Sequence, residues 1–120
     1  MDYKFINMEY LDSVAGGDPE IVNELVILFK EQSIEIAKEM ESLLSKKDYN
    51  SLGLLAHKAK SSVAIMGMVE MAQVLKTFEL QAKEAKDIHL YESYIEKFKN
   101  DTKEAVKELE DLINKRQKGN

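Results

Sequence analysis

Two histidines and no cysteine narrow the nucleophilic chemistry open to this 120-residue chain. Without cysteine there is no disulfide scaffold, no thiolate nucleophile, no iron–sulfur cluster and no Cys-ligated zinc. His57 is the more telling histidine. Turning the segment around it by about 100° per residue gathers Leu52, Leu55, Ala59, Ser62, Val63 and Met66 on the side away from the imidazole. That stripe reads as a core face, so His57 turns outward. Its own side carries the small residues Gly53, Ser61 and Ala64, which clear the approach to the ring. A glycine inside a helix costs about 1 kcal/mol relative to alanine, and Gly53, placed on this open face, reads as room for something that must come close. Lys60, one turn on, can reach an anion held at the ring. If the chain folds back at Gly67, His57 lies ten residues before the turn and Glu79 twelve after it, so the two come alongside. The carboxylate can then accept the Nδ1–H and leave Nε2 free as a nucleophile. A neutral imidazole, with an ordinary pKa of about 6.5, is mostly nucleophilic near neutral pH. His89, beside Asp87, reads as a surface residue without a part in the chemistry.

The frame that must position these residues is helical. One proline and five glycines leave long intervals filled with Leu, Glu, Lys, Ala and Met, and such intervals read as helices. A short helix from about Asn7 to Ala15 ends at Gly16-Gly17; Asp18 caps the next helix, with Pro19 at its first position. From Pro19 to about Ser45, Ile21, Leu25, Phe29, Ile36, Met40 and Leu43 keep to one stripe. Lys46-Lys47-Asp48 breaks the pattern, and a third helix runs from near Tyr49 to about Met66. Gly67 makes a turn, and a fourth helix from Val69 to about Ala85 carries Ala72, Leu75, Phe78, Glu79 and Ala82 along one side. Asp87 offers a cap for a last helix, Ile88 to about Arg116, with Leu90, Tyr94, Phe98, Ala105, Leu109 and Leu112 as its apolar face. Gln117 to Asn120 is expected to fray. Met66, Met68 and Met71 read as core filling near the chain reversal, and the dense Glu and Lys of the last helix as a solvated face. Strand-like alternation, the hairpin dipeptides Asn-Gly and Asp-Gly, and internal repeats are absent from the sequence. The expected class is all-α: an antiparallel up-and-down four-helix bundle with a short additional N-terminal helix across one end, one domain over residues 1–120.

The run Ala56-His57-Lys58-Ala59-Lys60-Ser61-Ser62, with Gly67 ten residues after the histidine, resembles the signature A-H-x-L-K-G-S-x-x-x-x-G of histidine-containing phosphotransfer (HPt) domains of bacterial two-component phosphorelays. The opening from Ile6 to Gln32 also looks like the usual start of that family, so the resemblance covers nearly the whole chain. It implies a four-helix core whose exposed histidine takes a phosphoryl group from a receiver-domain phospho-aspartate and passes it to another receiver. Carried over by position, His57 is the phosphoacceptor, Lys60 the phosphate-stabilising cation, Ser62 the small polar residue of the motif and Glu79 the partner of the ring. Ser61 stands where the family commonly has glycine and is small enough to keep the approach open. Ile65 replaces a frequent asparagine, and Ala59 replaces a leucine on the core stripe. The implied partners are response-regulator receiver domains and a hybrid sensor histidine kinase. The implied Mg²⁺ belongs to the receiver, so this chain is expected to need no cofactor. With no Gly-rich nucleotide loop and no acidic metal cluster in the sequence, the expectation is a phosphocarrier rather than an ATP-dependent kinase.

The remaining readings are weighed by charge and ligand count. With 17 Lys+Arg against 22 Asp+Glu, the net charge of −5 argues against nucleic acid as a partner. The apolar run Val63 to Met68 is far short of a membrane span, and Met1 to Tyr10 holds no run of signal-peptide length, so a cytoplasmic location is expected; the chain is also expected to be a monomer. A di-iron bundle would need Glu-x-x-His pairs, whereas Leu54 and Lys86 stand three residues before the two histidines. The alternative to phosphotransfer is a non-catalytic helical adaptor in which His57 is incidental. Ile27 and Ile34, off the core stripe of their helix, either cover the short first helix or join Leu54 and Ile65 in an apolar docking surface.

Overall fold

The computed structural model describes residues 3–118. Helix α1 spans Met8–Val14, α2 Pro19–Ser45, α3 Tyr49–Ile65, α4 Val69–Lys83 and α5 Tyr91–Lys118, with one turn of 3₁₀-helix at Ile88–Leu90 before the last. No strand occurs among the described residues, and no helix there is long and apolar enough to cross a membrane. The first three helices start on side-chain caps: Asn7 accepts from the Tyr10 amide, Asp18 from that of Glu20, and Asp48 from that of Ser51. Pro19 occupies the first turn of α2, where its missing N–H costs nothing.

Asp87 departs from expectation. Its φ of 54° is left-handed, it makes no capping hydrogen bond, and the chain takes the 3₁₀ turn before α5 begins at Tyr91. A cap residue needs an extended backbone to bring its side chain over the first free amides, which Asp87 lacks. The delayed start moves the apolar face of α5 by one residue in its first turns only, where Tyr91 and Ile95 take the places expected of Leu90 and Tyr94; Phe98, Ala105, Leu109 and Leu112 are buried as expected. The buried face of α5 is Tyr91, Ile95, Phe98, Thr102, Ala105, Leu109 and Leu112, with Leu90 and Tyr94 only half-buried. Tyr91 donates to the Lys86 carbonyl and packs against Phe78, ring centroids 5.3 Å apart, which fixes the α4–α5 connection. At the far end α5 continues through Lys118, beyond the expected end at Arg116; Gly119 and Asn120 lie outside the described residues.

Each long helix packs on two others: α2 on α3 and α5, and α4 on α3 and α5. Along α2 and α5, Lys30 meets Glu110 at 3.3 Å and Glu41 meets Lys99 at 3.4 Å, so numbers rise on one helix as they fall on the other. The buried face of α2 is Val22, Val26, Phe29, Ser33, Ile36, Ala37 and Met40. Ile21, expected in this stripe, is exposed, and Leu25 and Leu43 sit at its margin, because the stripe is broadened toward the side that α5 covers. Met66, Met68 and Met71 are all buried.

The helices differ in length, and the difference is filled from the N-terminus. At 1.5 Å per residue, α2 with 27 residues and α5 with 28 are about 40 Å long, against about 25 Å for α3 with 17 and α4 with 15. Residues 3–15 contribute Ile6, Leu11 and Ala15 to the core and are strapped to α5. The Glu108 carboxylate accepts from the amides of Lys4, Phe5 and Ile6 at 3.0, 2.9 and 3.1 Å. Tyr3 donates to Asp111 at 2.9 Å, and Arg116 grips Asp12 with two bonds of 2.8 and 2.7 Å. The acidic and basic residues of α5 are therefore not all solvated face; three of them tie down the start of the chain. The strap continues to the α3–α4 turn, where the Asn7 amide donates to the Met66 carbonyl at 3.1 Å. Gly67 has a φ of +74°, and a Cβ there would fall 2.5 Å from Asn7 Cβ, so both conformation and space require glycine.

Candidate functional site

His57 lies in mid-α3 with its side chain 57% exposed, facing away from the buried row Leu52, Leu55, Ala56, Ala59 and Val63. Glu79, on α4, is 8% exposed and turns its carboxylate to the ring. His57 Nδ1 stands 3.1 Å from Glu79 Oε1 and 3.0 Å from Oε2. Lys60 donates to Oε1 at 3.2 Å, and Lys83 donates to Oε2 at 2.8 Å. One buried carboxylate thus holds an imidazole and two ammonium groups.

The charge state follows from this company. The Lys83 hydrogen bond is the largest influence on Glu79 and outweighs burial; with the bonds from His57 and Lys60 it brings the carboxyl from an ordinary 4.5 down to about 2. Glu79 is ionised near neutral pH and can only accept. The proton in its bond to His57 must sit on Nδ1, which leaves the Nε2 lone pair of a neutral ring directed to solvent. Ser61 and Ala64 are exposed beside His57, and the approach to the ring is open.

Not every residue singled out from sequence gathers here. Ser62 is half-buried, five positions on and rotated well off the His57 side, and no hydrogen bond joins it to the other site residues among those described. Lys60 is half-buried with its ammonium already on Glu79. Gly53 is not on an open surface. It is buried where α3 meets α4, and what comes close to it is α4 itself. Lys83 was not among the residues the sequence pointed to, although its position four residues after Glu79 puts the two on one helical face. His89 is exposed in the 3₁₀ turn.

The apolar surface expected around Ile27 and Ile34 divides. Neither covers α1; both are more than half exposed, and Ile34 lines a groove made by α2 and α5 alone, opposite Val106. Leu54, three residues before His57, is 57% exposed, while Ile65 is half-buried against the core. Beside Lys60 a shallow hollow of about 430 Å³ opens between Tyr10, Ala64, Val69 and Ala72.

A family model described as the Hpt domain matches residues 24–119 of this chain. No curated protein and no solved structure matches it.

Proposed function

The chain belongs to the Hpt domain family, phosphocarriers of histidine phosphotransfer in phosphorelays, and on that premise we propose that His57 is its phosphoacceptor, charged by a receiver-domain phospho-aspartate and discharged to another receiver. The observation that carries this reading is the bond from Nδ1 to an ionised, buried Glu79, which points the free lone pair of Nε2 at solvent. In the step, Nε2 attacks phosphorus, the N–P bond forms, and the P–O bond to the aspartyl carboxylate breaks, returning that carboxylate to the receiver. No proton has to leave Nε2. The ring gains positive charge while Nδ1 keeps its proton, and the Glu79 carboxylate opposes that charge as it develops. Lys60 and Lys83 stand where one ammonium can turn from Glu79 to the incoming phosphoryl oxygens, because transfer of this kind depends on positioning and charge neutralisation. Mg²⁺, in this reading, comes with the receiver. This reading gives Ser62 no bond to the phosphoryl group, since it is half-buried and turned off the His57 side.

The reading includes an antiparallel up-and-down order of the four long helices, a monomer, and a cytoplasmic exchange with response-regulator receivers and a hybrid sensor kinase. Family membership supports the partners, and the opposed numbering of α2 against α5 supports the helix order. The rival is a helical adaptor that uses the same fold without chemistry. Incubation with a phosphorylated receiver domain separates the two: acid-labile, base-stable label is expected on the wild type and none on His57→Gln. A wild type that no receiver of its source organism charges favours the adaptor, and label that survives in His57→Gln overturns His57 as the acceptor.

A further inference from the structure

We infer that Gly53 is a positioning residue of this site: by letting α4 lie against α3 one turn before His57, it sets the reach of Glu79 to the imidazole. The inference rests on the phosphotransfer reading for its consequence and on geometry for its substance. A Cβ at position 53 would stand 3.0 Å from Lys83 Cγ, 3.2 Å from the Glu79 carbonyl oxygen and 3.2 Å from the Lys83 amide nitrogen. The first of these is a side chain that can give way. The other two are α4 backbone, and a methyl group can be admitted there only by moving the helices apart by a few tenths of an ångström.

The atoms that would be pushed belong to the residues that hold the ring. Glu79 and Lys83 are the two α4 members of the cluster, and Gly53 faces their backbone one turn before His57 on α3. The bonds from Nδ1 to the carboxylate are 3.0 and 3.1 Å, and ordinary N–H···O bonds end at about 3.2 Å, so a separation of a few tenths of an ångström takes them out of that range. The stem of Lys83 also runs past the space a methyl would take, which ties the grip of its ammonium on Oε2 to the same missing atom. Gly53 therefore acts through Glu79 and does not itself touch the phosphoryl group. Its place in mid-helix, where alanine is the better helix former, is explained by this spacing.

The test is Gly53→Ala, read by two measurements on the intact chain. Imidazole ¹⁵N and ¹H spectra report whether the neutral His57 ring keeps its proton on Nδ1, and transfer from a phosphorylated receiver reports the rate. The expected result is unchanged far-ultraviolet circular dichroism, a ring that becomes a mixture of both tautomers, and a rate lowered about tenfold, in keeping with the steep dependence of such steps on position. An unchanged tautomer overturns the inference, whether or not the rate falls, because a merely structural role would leave the ring as it was. If the wild type accepts no phosphoryl group, the functional reading fails while the spectra still decide the role of Gly53. Should Gly53→Ala not fold, the pair Gly53→Ala with Lys83→Ala removes the closest contact and keeps the two backbone ones. Measured against Lys83→Ala alone, it is expected to show the same mixed ring, and a ring identical to that of Lys83→Ala overturns the inference.

Discussion

Glu79 and His57 stand 22 positions apart on neighbouring helices, and the carboxylate of the first reaches Nδ1 of the second with both oxygens, at 3.1 and 3.0 Å. The same two oxygens are also claimed by Lys60 and Lys83. Ring orientation and the supply of positive charge are thus coupled through one side chain, and the consequences of removing any member differ.

Glu79→Ala is expected to slow transfer to His57 by about ten- to a hundredfold, since the ring loses both its fixed tautomer and the charge opposing its developing cation. Glu79→Gln retains a carbonyl acceptor and should fall between that variant and wild type. The appearance of acid-labile label, followed in time, measures both. A wild-type rate in Glu79→Ala would remove the residue from the proposed step.

Acid stability should carry the mark of the same carboxylate. Its folded pKa of about 2 lies below the ordinary 4.5, so between these values the unfolded chain binds more protons. The stabilisation is complete above about pH 4.5 and is lost as pH falls through about 2. Asp12, lowered chiefly by its bond to Arg116, and Asp111, lowered chiefly by Lys115, act in the same direction but are more exposed and weaker. Urea midpoints measured from neutral pH down to about pH 2.5 should decline less steeply for Glu79→Gln than for wild type. Parallel curves would show that another group governs the acid limb.

Lys60→Ala and Lys83→Ala should each slow transfer, and the double variant should depart from the product of the two effects, because both ammonium groups meet one carboxylate. Lys60 is half-buried and Lys83 more exposed, so each single change is expected to alter stability by about 1 kcal/mol or less. A rate cycle that multiplies cleanly would mean that the two lysines act independently of Glu79.

Leu54→Asp is expected to weaken productive docking of a receiver, as this exposed leucine lies on α3 three residues from His57. Ile34→Asp places the same charge in the groove between α2 and α5 and should leave transfer unchanged. Equal losses in both variants would extend the docking surface around the bundle to α2. Helicity by circular dichroism serves as the control for each.

The pairing of His57 with Glu79 was legible in the sequence because a single glycine turn fixes the register of two adjacent helices, and counting from Gly67 is enough. Gly53 was not. Residues within about 40° of His57 on a helical wheel read as neighbours on one open face, but the imidazole stands at the seam with α4, and the helix contact begins within that angle. The stripe on α2 was found and slightly misplaced, since Ile21 and Val22 are equally apolar and only the position of α5 chooses between them. Asp87 is of the right type for a cap, and its left-handed backbone came from the α4–α5 connection. Least legible was Glu108, whose three amide partners lie 102 to 104 residues away and leave no local pattern.

That last distance bears on the order of events in folding. The hairpin of α3 and α4 closes over a short loop, whereas the strap formed by Glu108 must join segments more than 100 residues apart, which is the costlier closure and is expected to come after the helices have assembled. Interactions made after the rate-limiting step do not alter the rate of folding; they hold back the reverse reaction. Glu108→Ala should leave the refolding limb of a chevron plot unchanged and raise the unfolding limb, which makes the strap a latch on the lifetime of the folded state.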